Sequence, residues 1–203
     1  RRSSDLLAKK KKEEGEIVIP LSFAIAVREA ATDGDSKPKL VPVVSSAFVD
    51  EQLAQANAIF GEHRIRFTSN EQPRALGVAH AMLEDRKARD ALADEMVKGV
   101  VNVFFVHSLR DVDDPKLHRM GVTWRKLSNL KKKYVIVAAS ARPTTLAHEL
   151  GHYLGNGHVS VKNNLMSYDR DGGKVFLDAT QGATARKTAK VLIASKELEP
   201  PKA

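Results

Sequence analysis

The strongest constraint in this 203-residue sequence is the spacing of three histidines within residues 148–158. The segment has the pattern H-E-x-x-H-x-x-G-x-x-H, in which His148 and His152 are the first two histidines. A helix turns by about 100° per residue, so side chains four residues apart project from one face and can bind the same metal ion. Neutral imidazoles at this spacing are typical zinc ligands. The sequence therefore predicts a zinc-binding helix.

The third histidine, His158, can reach the same ion only if the helix ends before it. Gly155 stands where a residue with positive φ would end the helix, and Gly157 gives the next step further freedom. Three neutral histidines leave one coordination position open, which is typical of a catalytic zinc site. We therefore expect one catalytic zinc ion, held by His148, His152 and His158.

Glu149 directly follows the first histidine of the motif. On a helix this position lies to one side of the two histidines, so its carboxylate is near the metal without being a ligand. A carboxylate placed in this way can take a proton from a metal-activated water molecule. We predict that Glu149 is the general base and then the general acid of a hydrolytic reaction.

Together with a methionine downstream, this segment resembles the defining motif of the metzincin clan of zinc peptidases. Met166, in the sequence N-N-L-M-S-Y, is similar to the methionine of the clan's Met-turn. The resemblance implies a zinc endopeptidase that acts on a protein or peptide substrate and that is secreted or extracytoplasmic. It is strong over residues 143–168 and weaker over residues 16–180. The pappalysin-like, astacin-like and minimal bacterial types all stay open.

Tyr168 stands two residues after this methionine. In the astacin-like and serralysin-like families, a tyrosine at this place lies near the zinc and can hydrogen-bond the oxyanion of the tetrahedral intermediate. The resemblance thus implies a catalytic role for Tyr168. The alternative is a buried tyrosine whose hydroxyl is hydrogen-bonded inside the protein.

The resemblance also implies that substrate pairs in extended form with an edge strand, here at residues 121–125. Main-chain pairing of this kind gives affinity, and pockets for side chains give selectivity. Several basic residues lie close to this strand and could favour acidic substrates, although a solvated loop explains them equally well. They are Arg125, Lys126, Lys131, Lys132 and Lys133.

The apolar periodicity predicts an α/β (α+β) fold with a mixed, mainly parallel twisted sheet. Strands are expected at residues 16–27, 65–67, 100–106, 121–124 and 134–137. Helices are expected at residues 49–60 with Asp50 near the cap, 82–97, 143–155 and 183–196. The third of these helices is the zinc-binding helix, and the last one closes a short irregular C-terminal subdomain. This order is similar to that of a metzincin-like zincin.

The formal charge of +8 is concentrated at the N-terminus, because residues 1–12 carry +5 of it. The rest of the chain is only weakly basic and aromatic residues make up 5% of the sequence, so a nucleic-acid-binding protein is not favoured. We predict a flexible basic segment at 1–15 and one metallopeptidase catalytic domain at 16–203, with an N-terminal subdomain at about 16–157 and a C-terminal subdomain at about 158–203.

The sequence contains no cysteine. This excludes disulfide scaffolds, cysteine nucleophiles, thiolate zinc sites and latency by a cysteine switch. The longest apolar stretch, residues 17–27, is too short to span a membrane, and residues 1–12 lack the apolar core of a signal peptide. We expect a monomer that binds neither membranes nor nucleic acid.

Two alternatives to a zinc endopeptidase stay open. A zinc-binding recognition module without activity would keep the histidines, but it would not need Glu149. A zinc exopeptidase would use the same site and differ in its products. The remaining histidines have no ligand spacing and are expected at the surface or in the core: His63, His80, His107 and His118.

Overall fold

The computed structural model of the protein describes residues 15–30, 38–69 and 71–200. The predicted basic segment at 1–15 therefore lies almost wholly outside the described residues. The turn-forming residues at 32–38 also predict a loop, and most of it lies outside the described residues.

The long first strand, β1 (Ile17–Glu29), organises one half of the sheet. It pairs with the short strands β2 (Leu40–Pro42), β3 (Ile65–Thr68) and β4 (Arg74–Leu76), of which only β2 is antiparallel. It also pairs in parallel with β6 (Val101–Val106), in which every residue is buried. Such a β-branched and aromatic strand is typical of the centre of a parallel sheet.

The other half of the sheet leads to its edge. β6 pairs in parallel with β9 (Lys133–Ala138), which in turn pairs antiparallel with β8 (Gly121–Arg125). β8 is the last strand of the sheet on this side. A separate two-stranded sheet joins β5 (Met82–Leu83) and β7 (Ser108–Leu109). The predicted mixed and mainly parallel sheet is thus confirmed.

The described residues include four α-helices: α1 (Ser46–Gly61), α2 (Arg86–Ala91), α3 (Thr145–Tyr153) and α4 (Ala179–Ala194). Gln52 fixes α1 against the start of α3. Its buried amide accepts from the N–H of Leu146 at 2.9 Å and donates to the carbonyl of Arg142 at 2.8 Å. None of the helices described is both long enough and apolar enough to cross a membrane.

The sheet divides the core into two apolar clusters, because alternate residues of a strand face opposite sides. Val103 and Phe105 of β6 belong to the larger cluster, which includes side chains of α1, α3 and α4. Phe104 and Val106 belong to the smaller one on the other face. The zinc-binding helix predicted from the sequence therefore packs on the larger cluster.

The predicted start of the first helix is wrong. α1 begins at Ser46 rather than Val49, and its N-cap is Ser45, whose hydroxyl accepts from the N–H of Phe48 at 3.2 Å. Asp50 lies inside the helix instead of near its cap. Serine caps a helix about as well as aspartate, so the earlier of two capping residues was sufficient to start it.

The predicted helix at residues 82–97 is confirmed only in its middle part and is wrong at its start. Met82 and Leu83 form β5, Asp85 caps the short helix α2, and a 3-10 turn covers Leu92–Glu95. The helix-forming residues of this region could not override the pairing of β5 with β7.

The last helix starts earlier than predicted, at Ala179 rather than residue 183. Asp178 and Gln181 form a capping box that fixes this start.

Candidate metal centre

α3 presents His148 and His152 on one face, as their spacing predicts. Its opposite face carries Leu146, Ala147 and Leu150 into the core, and this fixes the direction of the two imidazoles. Their ring centroids are 4.7 Å apart and their Nε2 atoms are 3.1 Å apart.

The turn after α3 is the one that the sequence predicts. The helix ends at Tyr153, and Gly155 has φ +91°. The N–H of Asn156 donates to the carbonyl of Gly151 at 3.0 Å, which closes the last turn. A residue with a side chain at position 155 would be strained, and its Cβ would also lie 2.9 Å from the hydroxyl of Thr188 in α4.

His158 returns to the pair and completes a cluster of three imidazoles. Its Nε2 atom lies 2.9 Å from that of His152 and 3.2 Å from that of His148. Among the described residues, these three form the only group of histidines and carboxylates that could hold a metal ion. The other described histidines do not join the cluster.

The ring orientations of the first two histidines are fixed by backbone carbonyls. Nδ1 of His148 donates to the carbonyl of Leu165 at 2.7 Å, and Nδ1 of His152 donates to that of Asn156 at 2.8 Å. Because a carbonyl can only accept, these Nδ1 atoms carry the protons and both Nε2 atoms present lone pairs. Burial lowers the pKa of His148 to about 4 and also lowers the pKa of His152, so both rings are neutral at neutral pH.

This donor set fits a zinc ion. The Nε2 atoms of His148 and His152 lie 3.1 Å apart, and neither carries a hydrogen atom. Because two lone pairs repel each other at this distance, the arrangement is favourable only around a cation. Three imidazole nitrogens at mutual distances of 2.9 to 3.2 Å match the ligand set of a catalytic zinc site. Any bound ion would keep one side open, because His158 lies at the exposed end of the cluster.

Glu149 is buried beside the cluster, with 6% of its surface exposed. The hydroxyl of Thr123 in β8 lies 3.0 Å from its Oε2 atom and 2.6 Å from its backbone carbonyl, and it can donate to either oxygen. Burial raises the pKa of Glu149 to about 7, while the hydrogen bonds from Thr123 and the charge of Arg119 oppose this rise. The spacing of the motif gave no signal for Thr123, which comes from another strand.

β8 approaches α3 closely at Gly121. A Cβ atom at this position would lie 2.7 Å from Cγ2 of Thr145 and 3.0 Å from Cγ of Glu149. The edge strand can therefore lie against the buried carboxylate only because residue 121 has no side chain. The role of Gly121 beside Glu149 could not be read from the sequence.

Met166 lies beneath α3 and is fully buried, with its sulfur in contact with the backbone at Gly151. Its N–H donates to Oδ1 of Asn164 at 2.9 Å. The amides of Asn164 and Gln181 exchange hydrogen bonds of 2.7 and 3.1 Å. The loop that follows the third histidine is thus tied to α4.

Tyr168 is 71% exposed, so the alternative of a buried tyrosine is wrong. Its ring lies 4.6 Å from that of His158 and 5.8 Å from that of His148, measured between centroids. This position is next to the cluster, on the side open to solvent.

Two cavities adjoin the cluster and share Glu149 and Tyr168 in their walls. The Trp124 cavity, of about 540 Å³, is lined by Trp124, Arg125, His152 and His158 among others. The Arg142 cavity, of about 690 Å³, is lined by Arg142, His148, Arg170 and Val175 among others. The segments on both sides of Met166 contribute Asn163, Arg170 and Val175 to the wall of the Arg142 cavity.

Comparison with known proteins shows a likeness in fold to a metalloproteinase. The crystal structure of metalloproteinase-II from Bacteroides fragilis matches with a TM-score of 0.53 and 14% sequence identity. The match covers 87% of this chain and 55% of that chain, so this protein spans little more than half the length of its neighbour. No protein-family model and no curated protein matches the sequence. The chain thus has a metalloprotease-like α/β fold with a cluster of three histidines that fits a zincin motif.

Proposed function

We propose that this protein is a zinc peptidase of the metzincin type and that it cleaves within peptide chains. His148, His152 and His158 would hold the ion. The observation that carries the proposal is the convergence of three Nε2 atoms beside a buried carboxylate, in a metalloprotease-like fold. When bound, zinc supplies a Lewis acid that polarises the scissile carbonyl and makes water more acidic.

In this mechanism Glu149 moves the proton. Its carboxylate accepts a proton from the attacking water and then delivers it to the nitrogen of the leaving amine. The hydroxyl of Thr123, 3.0 Å from Oε2, holds the carboxylate in its orientation. The second carboxylate oxygen stays available for the water.

The substrate is proposed to pair with β8 as an additional strand. Within the described part of the chain, β8 pairs with β9 alone, so its other edge can accept an extended peptide. The cavities on the two sides of Glu149 would receive side chains from both sides of the scissile bond.

Tyr168 is proposed to donate its hydroxyl to the oxyanion that develops in the transition state. Its exposed ring beside His158 supports this role, because the phenol is not held by core packing. The loop around Met166 is proposed to be the Met-turn of the clan. The single catalytic domain at 16–203, the monomeric state and a location outside the cytoplasm are proposals that rest on the same resemblance.

The proposal is tested by mass-spectrometric mapping of the products from a mixed peptide pool. We expect the unaltered protein to make internal cuts and Glu149→Gln to make none, with about one zinc ion bound to each protein. Cuts confined to chain ends would instead establish an exopeptidase. Equal cutting by both proteins would contradict the role of Glu149, and bound zinc without cutting by either would favour a recognition module.

A further inference from the structure

The Arg142 cavity has more positive than negative side chains in its wall. Its walls include Arg119, Arg142 and Arg170, and Glu149 is the only acidic residue among them. Arg119 already forms an ion pair with the carboxylate of Asp111. Among the described residues, no carboxylate lies within ion-pair distance of the other two arginines.

Arg170 is held in a fixed position in the wall of this cavity. Its guanidinium donates to the carbonyl of Asn163 at 3.2 Å and to that of Leu165 at 2.8 Å. The carbonyl of Leu165 also accepts from Nδ1 of His148. Arg170 and His148 thus donate to the same oxygen atom. The side chain of Arg170 is therefore already held in place before an anion binds, so binding costs little further conformational entropy.

Arg142 adds a second positive charge close to the first. Burial and the charge of Arg142 lower the pKa of Arg170, so the two guanidinium groups repel each other across the cavity wall. The N-terminus of α3 faces the same space, since Thr144 and Thr145 line it. Its partial positive charge acts in the same direction. An anion in the cavity would relieve the repulsion and bind both arginines.

The Trp124 cavity provides a contrast on the other side of Glu149. Two of its arginines, Arg86 and Arg119, pair with Asp113 and Asp111, and these carboxylates line the same cavity. Arg89 and Lys133 in the same wall donate to the backbone carbonyls of Arg110 and Tyr153, and Arg125 also lines this cavity. The charge of the Trp124 cavity is thus partly compensated by carboxylates in its own wall, whereas Arg142 and Arg170 have no such partner.

We infer that the Arg142 cavity binds a carboxylate group of the substrate and that Arg142 and Arg170 recognise it. The inference rests on the proposed function, because the cavity adjoins His148 and Glu149. The carboxylate can belong to an aspartate or glutamate side chain or to the free C-terminus of a short peptide. Both sources present the planar, bidentate acceptor that suits a guanidinium group.

Equilibrium binding tests this inference without turnover. Zinc-loaded full-length Glu149→Gln is titrated with fluorescent peptides of one sequence, amidated at the C-terminus, in which aspartate or asparagine stands at each position in turn. At one position we expect aspartate to bind about tenfold more tightly than asparagine. The asparagine peptide with a free C-terminus shows whether the terminal carboxylate is bound instead. Equal binding of all these peptides would overturn the inference.

A matched pair of variants assigns the preference to this cavity. Arg142→Gln removes one positive charge from the Arg142 cavity, and Arg28→Gln removes one from an exposed site on β1 that lines neither cavity. We expect Arg142→Gln to reduce the preference for the carboxylate to less than about twofold, and Arg28→Gln to retain it. An equal loss in both variants would show a general charge effect and overturn the inference.

The binding experiment and the cleavage experiment test the carboxylate site and the peptidase activity separately. If no peptide is cut by the unaltered protein but the preference depends on Arg142, the carboxylate site stands and the proposed peptidase activity falls. If peptides are cut but no preference for a carboxylate exists, the activity stands and this inference falls.

Discussion

Glu149 depends on a neighbouring strand as well as on its own helix. Thr123 supplies a hydroxyl 3.0 Å from the carboxylate, and Gly121 leaves the space that the carboxylate occupies. Both residues belong to β8, the strand proposed to bind substrate. A change in this part of β8 is therefore expected to affect both the binding of substrate and proton transfer by Glu149.

Thr123→Val tests the hydroxyl at nearly constant side-chain shape. Loss of this hydrogen bond leaves the carboxylate without its orienting partner, and we expect kcat/KM to fall by about 10- to 100-fold with bound zinc unchanged. Thr123→Ser restores the hydroxyl and should recover most of the activity. Full activity in the valine variant would contradict a positioning role.

Gly121→Ala tests the close approach of β8 to α3. The added methyl group would meet the side chains of Thr145 and Glu149, so we expect lower activity and a loss of about 1–3 kcal/mol in the free energy of unfolding. Urea denaturation and a peptide assay measure the two effects. Gly61→Ala is the control, because a Cβ atom there has no neighbour within 4 Å. Similar losses in both variants would refute the steric argument.

At the level of elements, α3 is supported from two sides. The loop with Met166 lies beneath it and is fixed to α4 through Asn164 and Gln181. β9 holds the other end, because the amine of Lys133 donates to the carbonyl of Tyr153 at 2.8 Å and lies 4.4 Å from the centre of its ring.

The contact of Lys133 predicts a dependence of stability on pH. Burial, and to a smaller extent the charge of Arg125, lowers the pKa of this amine from 10.5 to about 8, while Glu197 acts in the opposite direction. Between these two pH values the unfolded chain binds more protons than the folded one, so the free energy of unfolding rises with pH. Relative to Lys133→Met, the unaltered protein should gain stability between pH 8 and 10.5 in urea denaturation. A constant difference would contradict the lowered pKa.

At the level of the whole molecule, the cluster of three histidines joins α3 to the segment that follows it. His148 and His152 belong to α3, whereas His158 reaches them only through the turn at Gly155. An unfolded chain does not hold these three imidazoles together. Zinc is therefore expected to bind the folded state and to stabilise it.

Removal of zinc should accordingly lower Tm. We expect a chelator to reduce Tm by several degrees, and added zinc to restore it, because preferential binding to the folded state adds to its stability. His158→Ala should lose most of this response. His107→Ala, at an exposed histidine outside the cluster, should keep it. A full zinc response in the His158 variant would contradict its role as a ligand.

Long-range pairing limited the prediction of the fold. The buried strand at 101–106 and the long strand at 17–29 were predictable, because a long, nearly continuous run of apolar residues indicates a strand buried in the sheet. The region 82–97 was predicted as one helix, yet its first residues pair with β7 at residues 108–109. A propensity pattern contains no information about such a partner.

The sequence alone determined the histidine cluster, because a spacing of four residues and a glycine at the end of a helix act through local backbone geometry. His148, His152 and the turn at Gly155 follow from that geometry wherever the helix packs. Only the tertiary structure decided the surroundings of the cluster. Thr123 meets Glu149, and Arg142 and Arg170 share one cavity, because packing and sheet pairing bring together residues that are distant along the chain.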